Sequence, residues 1–469
     1  MENLVKLTEQ VRASVEAYWP DFVKDLATQV AINSERGKTE PGFPFGREPA
    51  RALNAFLERA AADGFAVDNV DHYAGTVSYG DGAEAIAVLA HLDIVPAGKG
   101  WTSDPFTLVE RDGRLYGRGV TDDKGPSVGA FYGLKIIRDL GLPLKKKIQL
   151  IVGTNEEQGS GCMAYYVQHR PLPTMGFTPD AEYPLIFAEK GNLWTELSFP
   201  AADSPILSFS GGEALNAVPA EAIVTLDGKR VDAASLLASI VPDDTDGYGA
   251  EATTDPDGNV RLLVKGLAAH GSTPEIGVNA IVSAAKILTR YFGSEDDPTL
   301  RFIAREIGRE TGGETLGLAA SDEESGRLTL NLGMIRWDAA ERTLCVDIRY
   351  PVSLKLETMK TRYDTMAKRY GLSYKVVSCA EPHYVPKDSV VVSRLMDVYR
   401  AVSGDSKAEP FAIGGGTYAK KFGGNFVAFG PEFPNRESTR IHNSDEHLII
   451  EDFKTHLVIC TMAMIALAS

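Results

Sequence analysis

Basic charge, cysteine and long apolar runs are what this 469-residue sequence has least of. Each shortage excludes something. Lys and Arg number 48 against 64 Asp and Glu, a formal net charge of −16. That sign argues against nucleic acid or an anionic membrane as partner, because both are recognised through basic patches. The four cysteines, Cys162, Cys345, Cys379 and Cys460, stand far apart. No paired spacing suggests a disulfide framework or a thiolate metal site, and a reducing cytoplasm is the expected location. No apolar run approaches the ~18 residues of a membrane span. Met1 to Asn3 lead into an amphipathic pattern, not a basic segment followed by an apolar one, so no signal peptide is expected. No internal repeat is visible.

What is present reads as globular. Hydrophobic residues make up 44% and charged residues 24%, as in soluble folded domains. The length exceeds one ordinary core, so two or more domains are expected. From about Leu4 to Ile32 apolar and charged positions alternate at helical spacing, with a break expected near Pro20. "RALNAFLERAAADGF" is a second amphipathic helix, stopped at Gly64. "AIAVLAHLDIV" is a short continuous apolar run, the pattern of a strand buried on both faces. "PSVGAFYGLKIIRDLGL" follows, with Pro126 in a first turn and Gly141 as a stop. "KKKIQLIVGTNEE" is the next buried strand. Strand, crossover helix, strand is the rhythm of an α/β domain with a largely parallel central sheet.

The character changes after about Lys190. "NLWTELSFP", "EAIVTLDG" and "NVRLLVKGLAAH" read as half-exposed strands, and "PEIGVNAIVSAAKILTRYF" as a helix. "RLTLNLGMIRWDAAERTLCVDIRYP" reads as two strands around a turn. The helix "SLKLETMKTRYDTMAKRYG" and the strand "SYKVV" complete an α+β set with ferredoxin-like, split-βαβ elements. "GRETGGETLGLAASDEESG" is Gly- and acid-rich and reads as a mobile surface loop. The buried pattern returns near Pro386. The expected organisation is therefore residues 1–190 and 385–469 as one domain, with 191–384 inserted in it.

In open α/β sheets, ligands bind beyond the carboxyl ends of the strands. That rule selects His91 and Asp93 after "AIAVLA", Glu156 and Glu157 after "IQLIVGTN", and Asp180 after "MGFTP". Asp122 and Asp123 lie on the loop "YGRGVTDDKGP", and "RIHNSDEH" offers His442 and His447. Singly, each has an ordinary structural role: a satisfied histidine, a helix-capping Asp, a solvated Glu pair. Together they crowd carboxylates that would repel one another unless a cation sat among them. Imidazole and carboxylate without thiolate suits zinc or manganese. The candidates are too many for one tetrahedral ion, so two bridged metals fit better.

These motifs resemble the metallopeptidase family of aminoacylases, glutamate carboxypeptidases and succinyl-diaminopimelate desuccinylase. The matching pieces are "HLDIVPAG", "YGRGVTDDKG", "GTNEEQGSG", "PDAEYP" and "RIHNSDEH", in the family's order and over nearly the whole chain. "GFTPDAEYPLIFAEKGN", "AHGSTPEIGVNA" and "GGGTYAK" are similar to its bacterial dipeptidase branch. Carried over by position, the resemblance implies two divalent metal ions, zinc in the first place and manganese as the alternative. His91 and Asp180 would hold one ion and Glu157 and His442 the other, with Asp122 bridging. Glu156 would be the general base, and Asp93 would orient His91 from behind. The family's peptide bond after the bridging Asp is cis, so a cis bond between Asp122 and Asp123 is expected. The inserted domain resembles the family's lid. There His270 would assist the developing oxyanion. Asn216, Arg349 and the glycines Gly414, Gly415 and Gly416 would hold the substrate, with Arg349 on a terminal carboxylate.

The implied activity is hydrolysis of unblocked dipeptides. An N-acyl-amino-acid amidohydrolase is the alternative enzyme, and a non-catalytic protein binding amino-acid derivatives is the alternative outside catalysis. A lid of this length resembles relatives in which added lid structure replaces a partner subunit, so a monomer is expected.

Overall fold

The computed structural model describes residues 2–200, 203–293 and 297–469. Met1, part of the start read above for a leader, lies outside them. The chain divides into two compact units. One comprises Met1–Phe187, Tyr384–Phe411 and Gly416–Ser469; the other comprises Ala188–His383 and Ala412–Gly415.

The first unit is built on a nine-stranded sheet. Its four central strands run in the order Lys147–Gly153, Ala85–His91, Met175–Thr178 and Phe426–Ala428, and all pair in parallel. On either side of that centre the next pairing is antiparallel. Ala66–Val70 and Ala74–Tyr79 form an antiparallel hairpin, and the second of them pairs antiparallel with Lys147–Gly153. The reason is local. The connection between the two hairpin strands is too short for a crossover, and Asp71 and His72 turn it at φ 52° and 58°. The central strands are buried on both faces, which is why they read as continuous apolar runs: Ile86 to Ala90 are all 0% exposed. Leu89 and Ile151 pack with Cys162, Met163 and Tyr166 of the helix Gly161–His169 and with Tyr418 and Phe422 of Tyr418–Phe422.

Three helices of this unit pack on one another: Glu2–Val30, Lys124–Asp139 and Ile450–Ala468. The first runs unbroken through Pro20, contrary to expectation. Its apolar stripe Val11, Val15, Phe22, Leu26 and Val30 is buried, while Pro20 lies on the exposed side. Burial of the stripe outweighs the single backbone bond the proline removes. The helix after the acidic loop begins at Lys124, so Asp122 and Asp123 lie directly before it and Pro126 is in its first turn.

The second unit holds an eight-stranded sheet whose pairs are antiparallel throughout. Within it Ser373–Ala380, Gly191–Ser198, Arg342–Tyr350 and Thr329–Trp337 are neighbours in that order. Numbered along the chain this is fourth, first, third, second, the arrangement of a split βαβ motif. Burial alternates along Gly191–Ser198 and Glu221–Leu226, as one-sided packing requires. The helix Ala280–Phe292 begins at Asn279, whose side chain accepts from the backbone N–H of Ile281 and Val282. The stretch read as a mobile loop is anchored instead. Leu318 is 0% exposed within this unit's core, and Ser321–Asp322 pairs with Gly326–Arg327. Its glycines obscured the buried Leu316 and Leu318 in the pattern.

Candidate metal centre

Parallel pairing aligns three strand ends in the first unit. His91 closes its strand in register with Gly153 of the neighbour, and Asp180 lies two residues beyond Thr178 of the next. The three loops that follow therefore leave the sheet on the same side. His91, Glu156 and Asp180 each offer a ligand atom within 4.8 Å of the others, and so do His91, Asp122 and Glu157.

Asp122 stands at the centre of the group. Its Oδ1 is 3.0 Å from Nε2 of His91, and its Oδ2 is 2.9 Å from Nε2 of His442. Asp180 approaches His91 Nε2 at 3.6 Å, and Glu157 approaches His442 Nε2 at 3.1 Å. Two imidazole–carboxylate pairs thus flank one shared carboxylate. The peptide bond Asp122–Asp123 is cis. His447, the other histidine of the late motif, is not in this group. It pairs with Tyr116 in a small sheet, and its Nδ1 lies 2.9 Å from the Asp445 carbonyl.

Glu156 and Glu157 occupy a turn, not an extended run. Both backbone N–H groups donate to one carboxylate, that of Asp93, at 2.9 and 3.2 Å. Asp93 thereby fixes the glutamate pair. Its contact with His91 is chiefly through the main chain: Nδ1 of His91 is 2.9 Å from the Asp93 carbonyl and 3.5 Å from its carboxylate.

Electrostatics explain what the cluster lacks by itself. Burial, then the charge of Asp180, pushes the Glu156 carboxyl well above the usual range. Burial and the Asp122 charge likewise raise Asp180. Glu157 is raised by burial, against the pull of His442. Burial would raise Asp122 as well, but hydrogen bonds from His442 and His91 bring it below the carboxylate range. His442 is lifted to about 10 by its bonds to Asp122 and Glu157. Four buried or half-buried carboxylates exceed what two imidazoles can balance. Oε1 of Glu157 is buried with no partner among the described residues. A divalent cation answers both deficits, and the oxygen–nitrogen donor set suits one.

Several supporting residues escaped the sequence reading. Glu446 is 1% exposed and gathers the loop that carries Asp122. It accepts from the backbone N–H of Thr121 and Asp122 through Oε1, and from Gly119 and the Arg118 guanidinium through Oε2. Arg118 also donates to the carbonyls of Pro96 and Ala97. The pair therefore ties together the loops that carry Asp93, Asp122 and His442. Asp123, a candidate beside Asp122 in the sequence, instead supports the backbone of His91: its Oδ2 accepts from the His91 N–H at 2.9 Å. The motif "HNSDEH" displayed Glu446, but nothing in a local pattern separates a tethering carboxylate from a solvated one.

The remaining candidates, apart from Gly416, lie in the second unit. Nδ1 of His270 is 2.7 Å from Ser272 Oγ, and burial followed by the charge of Arg349 lowers its pKa. His270 pairs with Ala217, next to Asn216, whose carbonyl accepts from Gly271. Arg349 is 7% exposed; it is bound to Asp347 through Nε and Nη2 and to the Gly414 carbonyl through Nη1. Gly415 and Gly416 follow on the segment where the chain passes from this unit to the first.

A carboxylate shared between two imidazole–carboxylate pairs, beyond the ends of a parallel sheet, is the chemistry of a metal-dependent hydrolase. The chain belongs to peptidase family M20/M25/M40, whose pattern matches residues 87–465, and it is a peptide-bond hydrolase of that family. It is 36% identical over 462 residues to the putative dipeptidase YtjP of Bacillus subtilis, covering 96% of this chain and 97% of that one. It is 34% identical over 460 residues to the Beta-Ala-Xaa dipeptidase of Lactobacillus delbrueckii subsp. lactis, covering 96% of each. Its fold resembles human carnosine dipeptidase 1, with TM-score 0.59 and 17% identity over 98% of this chain and 99% of that one. The di-peptidase Dug1p of Saccharomyces cerevisiae is similar to the same degree, TM-score 0.59, at 13% identity over 98% of each chain.

Proposed function

We propose that the protein hydrolyses unblocked dipeptides with two divalent ions, held by His91 and Asp180 on one side and by Glu157 and His442 on the other. Asp122 would bridge them. The observation that carries this reading is the divided carboxylate of Asp122, one oxygen toward each imidazole at 3.0 and 2.9 Å. When bound, the ions supply Lewis acidity toward the scissile carbonyl and lower the pKa of a water toward neutrality. Glu156 would take a proton from the attacking water and deliver it to the leaving amine. Asp93 holds the backbone of Glu156 and Glu157, so base and ligand keep their separate directions.

The second unit is read as a lid. His270 would donate to the developing oxyanion, and its lowered pKa favours a neutral imidazole, a donor through one nitrogen only. Asn216, Arg349, Gly414, Gly415 and Gly416 would hold the substrate. Zinc is the proposed metal, with manganese accepted by the same donors, and a monomer is the proposed state. The name of the Lactobacillus relative makes β-alanyl dipeptides the first substrates to assay.

The test is hydrolysis of one dipeptide in free and N-acetylated form, with metal analysis of the same preparation. Cleavage of the free form and up to two divalent ions per chain are expected. Preference for the acetylated form would assign a deacylase instead. Active protein with well under one ion per chain would overturn the metal mechanism.

A further inference from the structure

Resting on the reading of Arg349 as the grip for the substrate's terminal carboxylate, we propose that Asp347 is a positioning residue: it selects the guanidinium edge that meets the substrate and so sets specificity for a free carboxylate. A guanidinium carries five N–H donors arranged as a side-on fork, Nε with Nη2, and an end-on fork, Nη1 with Nη2. Asp347 fills the side-on fork: Oδ1 accepts from Nε at 2.8 Å and Oδ2 from Nη2 at 3.0 Å. The Gly414 carbonyl takes one Nη1 hydrogen at 3.1 Å. One hydrogen remains on Nη1 and one on Nη2, with no acceptor among the described residues. With the Gly414 carbonyl on the Nη1 hydrogen that points away from Nη2, those two form the end-on fork, which matches the two oxygens of a carboxylate.

The surroundings hold Asp347 in place. Asp347 and Arg349 are two residues apart on the strand Arg342–Tyr350, so their side chains share a face. Asp347 is 0% exposed, and its Oδ1 also accepts the indole N–H of Trp194 at 2.7 Å. Trp194 lies opposite Asp347 on the adjacent strand, and its ring centroid is 5.5 Å from the Arg349 guanidinium carbon. On the other side a Cβ at Gly271 would stand 2.6 Å from Asp347 Oδ2, so the backbone closes directly on the carboxylate. The pair is neutral as a unit. Attraction for any anion is therefore weak, and recognition falls to the shape of the free fork. A carboxamide presents one acceptor and one clashing donor to that fork.

The test compares kcat/KM for a dipeptide and its C-terminal amide in the metal-loaded protein. The folded enzyme is expected to prefer the free acid by about 100-fold or more. Asp347→Asn, which turns a donor toward Nη2 and releases the fork from its orientation, is expected to reduce that ratio about 10-fold despite the guanidinium charge it leaves unpaired. The loss should fall on KM for the acid and leave the amide nearly unchanged. Trp194→Phe removes one anchor of Asp347 and is expected to act in the same direction, more weakly. In an Arg349→Met background Asp347→Asn should change the ratio no further. A folded Asp347→Asn protein that keeps the wild-type ratio overturns the role of Asp347 while leaving Arg349 in place. If that variant does not fold, an unchanged ratio in Trp194→Phe overturns it instead. A wild-type enzyme that cleaves the amide as fast as the acid overturns the reading of Arg349 itself.

Discussion

At the scale of single residues, the proposed function gives the neighbours Glu156 and Glu157 different duties in one turn. Glu156→Gln is expected to lower kcat by about 10²–10⁴-fold with metal content unchanged, the span typical of losing a general base. Glu157→Ala is expected to lower metal occupancy, because its carboxylate faces His442. Metal analysis of the two purified variants separates the cases; equal occupancy in both would contradict the assignment. A second residue, outside the proposed ligand set, is expected to contribute to acid stability. His456 is 0% exposed, its Nδ1 meets the Tyr183 hydroxyl at 2.9 Å, and burial lowers its pKa from 6.5 to about 3. The unfolded chain therefore binds a proton near pH 6.5 that the folded one refuses until near pH 3. Stability from this group is complete above 6.5 and falls as pH drops through that window, by a few kcal/mol in order of magnitude. Urea midpoints between pH 7 and 4 should decline less steeply in His456→Gln than in the wild type.

At the scale of elements, the metal loops are held by a few long-range contacts. Glu446→Ala would leave Arg118 buried without its partner and strip acceptors from three backbone N–H groups. A loss of about 3–5 kcal/mol is expected, as for breaking one side of a buried ion pair. Glu446→Ala combined with Arg118→Met should cost less than the sum of the two, measured by denaturant titration as a double-mutant cycle. Gly153 illustrates a different constraint. A Cβ there would lie 2.1 Å from the Tyr418 hydroxyl and 2.9 Å from Cys162 Sγ. The strand can pass beside the helices on this face of the sheet only without a side chain, and Gly153 pairs with His91. Gly153→Ala is expected to destabilise by about 1–3 kcal/mol through overpacking and to weaken metal binding by shifting His91. Equilibrium unfolding with and without metal reads both effects.

At the scale of the whole molecule, folding and metal binding should be linked, since the proposed ligands come from loops distant in the chain. Saturating metal at 100 times its dissociation constant should stabilise the native state by about 2.7 kcal/mol per ion. Chelation should therefore lower Tm in the wild type and abolish hydrolysis. The Tm effect should be smaller in Glu157→Ala, and an unchanged wild-type Tm after exhaustive chelation would contradict the linkage. No helix among the described residues is long and apolar enough to cross a membrane, as the absence of long apolar runs led one to expect.

What the sequence determined by itself was local or categorical. Period-two and continuous apolar patterns marked Gly191–Ser198 and Ala85–His91 as half-buried and fully buried strands, because side-chain direction follows backbone geometry residue by residue. Strand-end histidine and carboxylates in the family's order marked a hydrolytic metal chemistry, because those donor types admit few other uses together. Tertiary structure decided the rest. Helix packing carried Glu2–Val30 through Pro20, and a short turn made the sheet's edge antiparallel. Which oxygen of Asp122 faces which imidazole depends on loops brought together across the chain. Glu446 bonds to a backbone N–H 327 residues away, and Asp347 matters for the edge of Arg349 it occupies. Local periodicity cannot encode such contacts, since their direction is set by the packing of whole elements against one another.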